Sequence, residues 1–250
     1  MYESSSIKII NPNSAGIDIG STSHFVAVPA GRDKEPVKEF SCYTPDIQKM
    51  IEWLKQCKIE TIVMESTGSF WIPAFEMLEQ AGFEVLLVDA HHIKNIKGRK
   101  SDVIDCQWLQ QLHAHGLLSG AFRPDNEIVE LRSYIRQRSI LIESAATHVN
   151  RMQKALIQMN IHLHNAISDI TGITGMGIIR SILNGERNPR KLAEMRDGRC
   201  KQPKEVIESS LKGNYREEHV FALKQAVAAY DFYHQQILEC DEAIKKNSKY

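Results

Sequence analysis

From residue 15 onward, hydrophobic and polar positions alternate in short bursts. Gly16-Ile17-Asp18-Ile19-Gly20 and His24-Phe25-Val26-Ala27-Val28, separated by Ser21-Thr22-Ser23, predict a β-hairpin. A third short strand over 37–40 completes a meander. Ile47, Met50, Ile51 and Leu54 then recur at three-and-four spacing behind Thr44-Pro45-Asp46, which predicts a helix over 46–56. A strand over 61–65, a helix over about 70–80 closed by Gly82, and an apolar strand over 83–88 follow. The order βββαβαβ predicts a mixed α/β sheet with helices on its faces, neither purely doubly wound nor all-β.

After residue 126 the texture changes. Ile128, Leu131, Ile135, Ile142, Val149, Met152 and Leu156 keep helical spacing with few breakers, and Val220, Leu223, Val227, Tyr230, His234, Ile237 and Ile244 repeat that rhythm. Two long helices are predicted, forming either a coiled coil or an antiparallel pair. Between them, over about 165–215, five glycines (Gly172, Gly175, Gly177, Gly185, Gly198) with Pro189 and Pro203 predict turns and short helices. The chain thus reads as two regions, 10–125 and 126–250.

The composition of the 250 residues, 42% hydrophobic and 25% charged, fits a globular chain and excludes wholesale disorder or a disulfide scaffold. Lys+Arg (31) and Asp+Glu (31) cancel, so any signal for a polyanionic partner must be local. No apolar run approaches the roughly 20 residues that span a bilayer, and the first residues lack the pattern of a signal peptide; a cytoplasmic protein with no membrane partner is expected. Cys42, Cys57, Cys106, Cys200 and Cys240 are scattered without a CxxC pair, so they are read as reduced packing residues rather than zinc ligands.

Candidate chemistry comes from four acids. Asp18 stands between Ile17 and Ile19 on the first strand, where a carboxylate is costly unless it is paired or binds a cation. Glu65 repeats the arrangement at the end of the fourth strand, and the two converge if those strands are neighbours. Asp102 and Asp105, three apart in the helix-like segment 101–109, share one helix face. Carboxylates without Cys or paired His select Mg²⁺ or Mn²⁺, and such ions activate and stabilise the oxygens of a phosphodiester. Lys94, Lys97, Arg99 and Lys100 lie just upstream, as a phosphate-handling site requires. The plainer reading is also open: two exposed acids in a first helical turn, preceded by a solvated basic run.

Further cations stand at Arg132, Arg136, Arg138, Arg151 and Lys154 on the first long helix. The 187–204 stretch adds Arg187 and Arg190, with a surplus of basic over acidic residues. The helix set serves equally as a phosphate-facing surface or a solvated face, and Arg187 and Arg190 are counted with Arg132 and Arg136 as nucleic-acid-binding candidates. His113/His115 and His162/His164 have a spacing that sends the two rings of a helical pair to different faces, a poor metal site. Gly172-Ile173-Thr174-Gly175-Met176-Gly177 lacks a P-loop lysine and reads as a flexible turn. Phe70, Trp71 and Phe75 are placed in the core rather than on a nucleobase.

Gly16-Ile17-Asp18-Ile19-Gly20-Ser21, Met64-Glu65-Ser66-Thr67-Gly68 and Gly98-Arg99-Lys100-Ser101-Asp102-Val103-Ile104-Asp105, followed by Trp108-Leu109 and Gly116-Leu117-Leu118, resemble the transposases of one insertion-sequence family. That family includes the Piv DNA invertase and the bridge-RNA-guided recombinases. Over about 15–165, the resemblance implies an RNase H-like (RuvC-like) domain whose DEDD acids are Asp18, Glu65, Asp102 and Asp105, holding Mg²⁺ near a reacting phosphodiester. It implies cleavage and strand exchange in DNA directed by a structured RNA, with homo-oligomers formed through the long helices. Family members continue into a second domain that supplies a nucleophilic serine; this chain stops at Tyr250, so the expectation is the DEDD part without that module. Two rival readings use the same residues: a stand-alone Mg²⁺-dependent nuclease resembling Holliday-junction resolvases, and a non-catalytic RNA-binding or dimerising fragment.

Overall fold

The computed structural model describes residues 8–66, 68–89, 102–121 and 123–248, and of residues 102–104 the backbone alone. The chain divides into two compact units, Met1–Arg123 and Pro124–Tyr250.

The first unit is an RNase H-like α/β fold on a five-stranded sheet ordered β3-β2-β1-β4-β5. β1 (Ser14–Ile19), β2 (Ser23–Ala27) and β3 (Val37–Ser41) form the antiparallel meander. β4 (Thr61–Glu65) runs parallel to β1 on its other side, and β5 (Glu84–Val88) runs parallel to β4. Helix α1 (Thr44–Gln56) joins β3 to β4, and α2 (Trp71–Gln80) joins β4 to β5. The first begins two residues before the expected start, because Pro45 sits in its first turn, where a missing N–H leaves no bond unmade.

Alternation sorts the strand residues onto two faces. Ala15, Ile17, Ile19, Val26, Ile62, Met64 and Leu87 join Met50, Leu54, Phe75 and Leu78 in a core under α1 and α2. The intervening positions, Gly16, Asp18, Val63, Glu65 and Val88 among them, belong to the other face, where α3 (Asp102–Ala114) sets Leu109 against Val63 and Val88. Burying each such side chain contributes about 1.5–3 kcal/mol.

The two outer strands differ in their flanks. Along β5, Ala121 donates its N–H to the Leu87 carbonyl, and Gly120 passes close over Leu86. β3 carries Lys38 and Glu39, and the Lys38 ammonium pairs with Asp33 at 2.9 Å.

In the second unit, α4 (Asn126–Gln158) and α9 (Glu217–Asn247) are the two long helices. They run antiparallel: Arg138 pairs with Asp241 at 2.6 Å, while further along α4 and back along α9 His148 stacks on Tyr233. Between them lie α5 (Leu163–Ala166), α6 (Ile173–Leu183), α7 (Pro189–Ala193) and α8 (Lys204–Ser210), packed around Met152, Leu156, Met159, Ile178, Ile182, Leu192 and Leu223. The glycine-rich segment corrects one expectation. Gly172 is the N-cap of α6, and Gly175 and Gly177 lie inside that helix rather than in a turn. A β-carbon at Gly175 would sit 2.6 Å from Ile170 Cα, so glycine there serves close backbone approach, which offsets its helix cost of about 1 kcal/mol. Among the described residues, no helix is long and apolar enough to cross a membrane. All five cysteines are free, with Cys57 and Cys106 buried.

Candidate active site

The parallel register aligns β1 with β4, pairing Gly16 with Val63 and Ile17 with Met64. One step further, Asp18 and Glu65 stand side by side at the carboxyl ends of adjacent strands, on the face that carries α3. Both are half-buried.

Helix α3 crosses this face against the direction of β1. Near its carboxyl end, His113 meets Thr61 at the start of β4, Nε2 to Oγ1 at 2.9 Å, and Gln110 reaches back to Ser14 at the start of β1. Cys106 and Gln110 then lie directly over Gly16: a β-carbon there would come within 2.9 Å of Gln110 Cα, and closer still to the Cys106 carbonyl and the Gln110 amide. Four residues back along the helix is about 6 Å, the advance of two residues along a strand. The first turn of α3, with Asp102 and Asp105, therefore comes to the sheet end occupied by Asp18 and Glu65.

Cys106 registers the same neighbourhood. Burial first, then the nearby Asp18 carboxylate and, more weakly, that of Asp105, push its thiol up to about 12, which places Cys106 beside both acids. The helix macrodipole favours acids in the first turn by about 0.3–1 kcal/mol. The opposite end of α3 is pinned: Ile10 and Asn11 donate their backbone N–H groups to the Ala114 carbonyl, and the Asn11 amide donates to the His113 carbonyl. Burial holds the His113 imidazole below its usual pKa, and hence neutral near pH 7.

Of the four acids, the described side chains are Asp18, Glu65 and Asp105; Asp102 is described by backbone alone, at the start of α3. Among the described residues, no group of three or more His, Cys, Asp or Glu side chains is assembled to hold a metal ion. Lys94, Lys97, Arg99 and Lys100 lie outside the described residues.

In the second unit, Arg132 and Arg136 are exposed one turn apart on α4, and Arg190 is exposed on α7. Arg187 is committed internally: its guanidinium donates to the Ile182 and Glu186 carbonyls and lies over the Tyr215 ring at 5.0 Å. Arg138 is taken by Asp241. His162 and His164 place their rings 6.0 Å apart, centroid to centroid. The core assignment of the three aromatics holds for Phe75 and partly for Trp71, which meet edge to face at 5.5 Å. Phe70, at the N-cap of α2, is instead 50% exposed. Sequence reasoning missed Gly16, Gln110 and His113, the residues that set where α3 lies. The readable signal is a glycine two positions before a strand carboxylate.

A transposase family model, that of the DEDD transposases of IS110 type, matches residues 15–161, more than half of the chain. No curated protein matches it.

Proposed function

The chain belongs to the DEDD transposases of the IS110 family, and from that premise we propose that Asp18, Glu65, Asp102 and Asp105 are the catalytic acids of its DNA cleavage and strand exchange. The family makes the chain a transposase and DNA its partner. The observation that supports the finer reading is the antiparallel crossing of α3 over β1, which brings the helix's first turn to the strand ends carrying Asp18 and Glu65.

Carboxylates gathered at one sheet end repel one another unless a cation is shared among them. The four acids offer hard oxygen donors, a set that fits Mg²⁺ or Mn²⁺. Such an ion, held by the four acids, supplies Lewis acidity and charge neutralisation at a phosphodiester. The chain's own residues do the positioning. Asp18 and Glu65 are fixed by paired strands, and Asp102 and Asp105 by a helix seated on Gly16 and pinned at its far end. Lys94, Lys97, Arg99 and Lys100 bind backbone phosphates as the strand enters, and exposed Arg132, Arg136 and Arg190 add contacts without reading sequence.

A structured RNA directs the exchange in this reading. The long helices drive self-association, which the exposed Ile128, Ile135 and Ile142, spaced seven apart along α4, support. The protein acts in the cytoplasm. The test is Mg²⁺-dependent processing of branched and linear DNA by the purified chain, with and without RNA transcribed from the flanks of its gene, alongside calorimetric titration with Mn²⁺. Asp18→Asn and Asp102→Asn are expected to abolish both metal binding and processing at an unchanged melting temperature. Wild-type metal binding in both variants refutes the acid assignment.

A further inference from the structure

A single exposed apolar side chain is ordinary on a protein surface and needs no function. Phe70 differs in place and in constraint. It follows Glu65 by five residues, so it lies beyond the same strand end as the acids, and a chain of five residues spans at most about 17 Å. Stacked nucleotides advance about 3.4 Å along each strand, so a base no more than about five nucleotides from a phosphate at the acids is within reach of the ring.

The turn that carries Phe70 is fixed from both sides. Gly68 adopts φ +56°, the left-handed conformation that glycine accepts without strain. The Trp71 indole N–H donates to the Gly68 carbonyl at 3.0 Å, closing the turn. The Phe70 ring lies across Gly68, at van der Waals distance from where a β-carbon would stand. Helix α2 spends its buried face on Ala74, Phe75 and Leu78, and Trp71 packs on Phe75 with the Arg123 guanidinium 4.1 Å from the Phe75 centroid. The neighbouring aromatics thus hold the turn, while Phe70 is left half exposed with little conformational entropy to lose.

Resting on the acid-site reading above, we propose that Phe70 is a positioning residue that stacks on an unstacked base of the DNA strand whose phosphate lies at the acids, setting which phosphate is presented. An aromatic face accepts any base, so the contact orients the strand without reading its sequence.

The test uses the full chain and DNA strands carrying 2-aminopurine at successive positions, read by base fluorescence and anisotropy. Phe70→Ala is expected to weaken binding on the order of 5- to 150-fold and to abolish the fluorescence change at one position. Phe70→Trp is expected to restore both, and Phe70→Leu, apolar but without a π face, to restore neither. Equal binding by wild type and Phe70→Ala, or full rescue by leucine, overturns the proposal. Matched melting curves for wild type and variants separate these outcomes from misfolding. Failure of the wild-type chain to bind DNA overturns the acid-site reading and the stacking role together, whereas wild-type binding indifferent to Phe70 overturns the stacking role alone.

Discussion

Replacing Gly16 by alanine isolates the contact on which the proposed acid site depends. The added β-carbon meets α3 backbone, with Gln110 Cα at 2.9 Å and the Cys106 carbonyl and Gln110 amide nearer. Ordinary carbon contacts need about 3.5–4.0 Å, and neither backbone strand nor helix has a flexible end to swing aside. Helix α3 must therefore retreat by about 1 Å, loosening Leu109 from Val63 and Val88. Overpacking of this kind costs about 1–3 kcal/mol. For a unit of this size that lowers the melting temperature by roughly 3–15 °C. The same 1 Å is imposed on Asp102 and Asp105 relative to Asp18 and Glu65, and a displacement of that size costs on the order of 100-fold in rate. Circular dichroism melting and Mn²⁺ calorimetry of the Gly16→Ala variant read the two effects separately. A melting temperature within 1 °C of wild type, together with unchanged metal affinity, refutes the close seating of α3 on β1.

Four further outcomes are expected. Gly177 lies inside α6 with open space where a β-carbon would stand, so Gly177→Ala stabilises by about 0.5–1 kcal/mol, read as a higher urea midpoint; destabilisation contradicts the open site. His24 and His113 are buried, and burial lowers both their pKa values. Above pH 6.5 both are neutral in folded and unfolded chains, but as pH falls below 6.5 the unfolded chain takes up protons that the folded one refuses. Stability then drops by up to about 1.4 kcal/mol per pH unit for each histidine, and a urea midpoint that stays constant from pH 7.5 to 5.5 argues against it. Arg138–Asp241 is short, but the pair is substantially exposed, so a double-mutant cycle is expected to return less than about 1 kcal/mol. Ile17→Ala, at a position with no exposed surface, costs about 2–5 kcal/mol, and a loss below 1 kcal/mol sinks the core assignment.

Periodicity makes much of the fold readable. Short bursts of apolar residues between polar or glycine breaks mark all five strands, and Ile47, Met50 and Leu54 mark the buried face of α1. The pairing of Asp18 with Glu65 follows from strand order, because the meander leaves one side of β1 free for a parallel neighbour. The lie of α3 is not readable, since it depends on contacts between residues more than fifty positions apart, Gly16 with Gln110 and Thr61 with His113 among them. The helix over 173–183 is hidden for a related reason: Gly175 counts as a breaker in sequence, yet the Ile170 backbone requires it. Arg187 looks like any other cation of its run until the Ile182 carbonyl and the Tyr215 ring claim it.

An open sheet invites recruitment of a further strand, and with it self-templated aggregation. In the first unit the backbone of residues 120–121 lies along β5, and the charged, ion-paired β3 discourages a newcomer on the other flank. Augmentation is thus disfavoured from either side. Among the described residues, the carboxyl ends of β1 and β4 present the Asp18 and Glu65 side chains rather than a strand flank. In the proposed function a polyanion enters there together with the cation the acids share, and a stray polypeptide finds no strand flank to pair with.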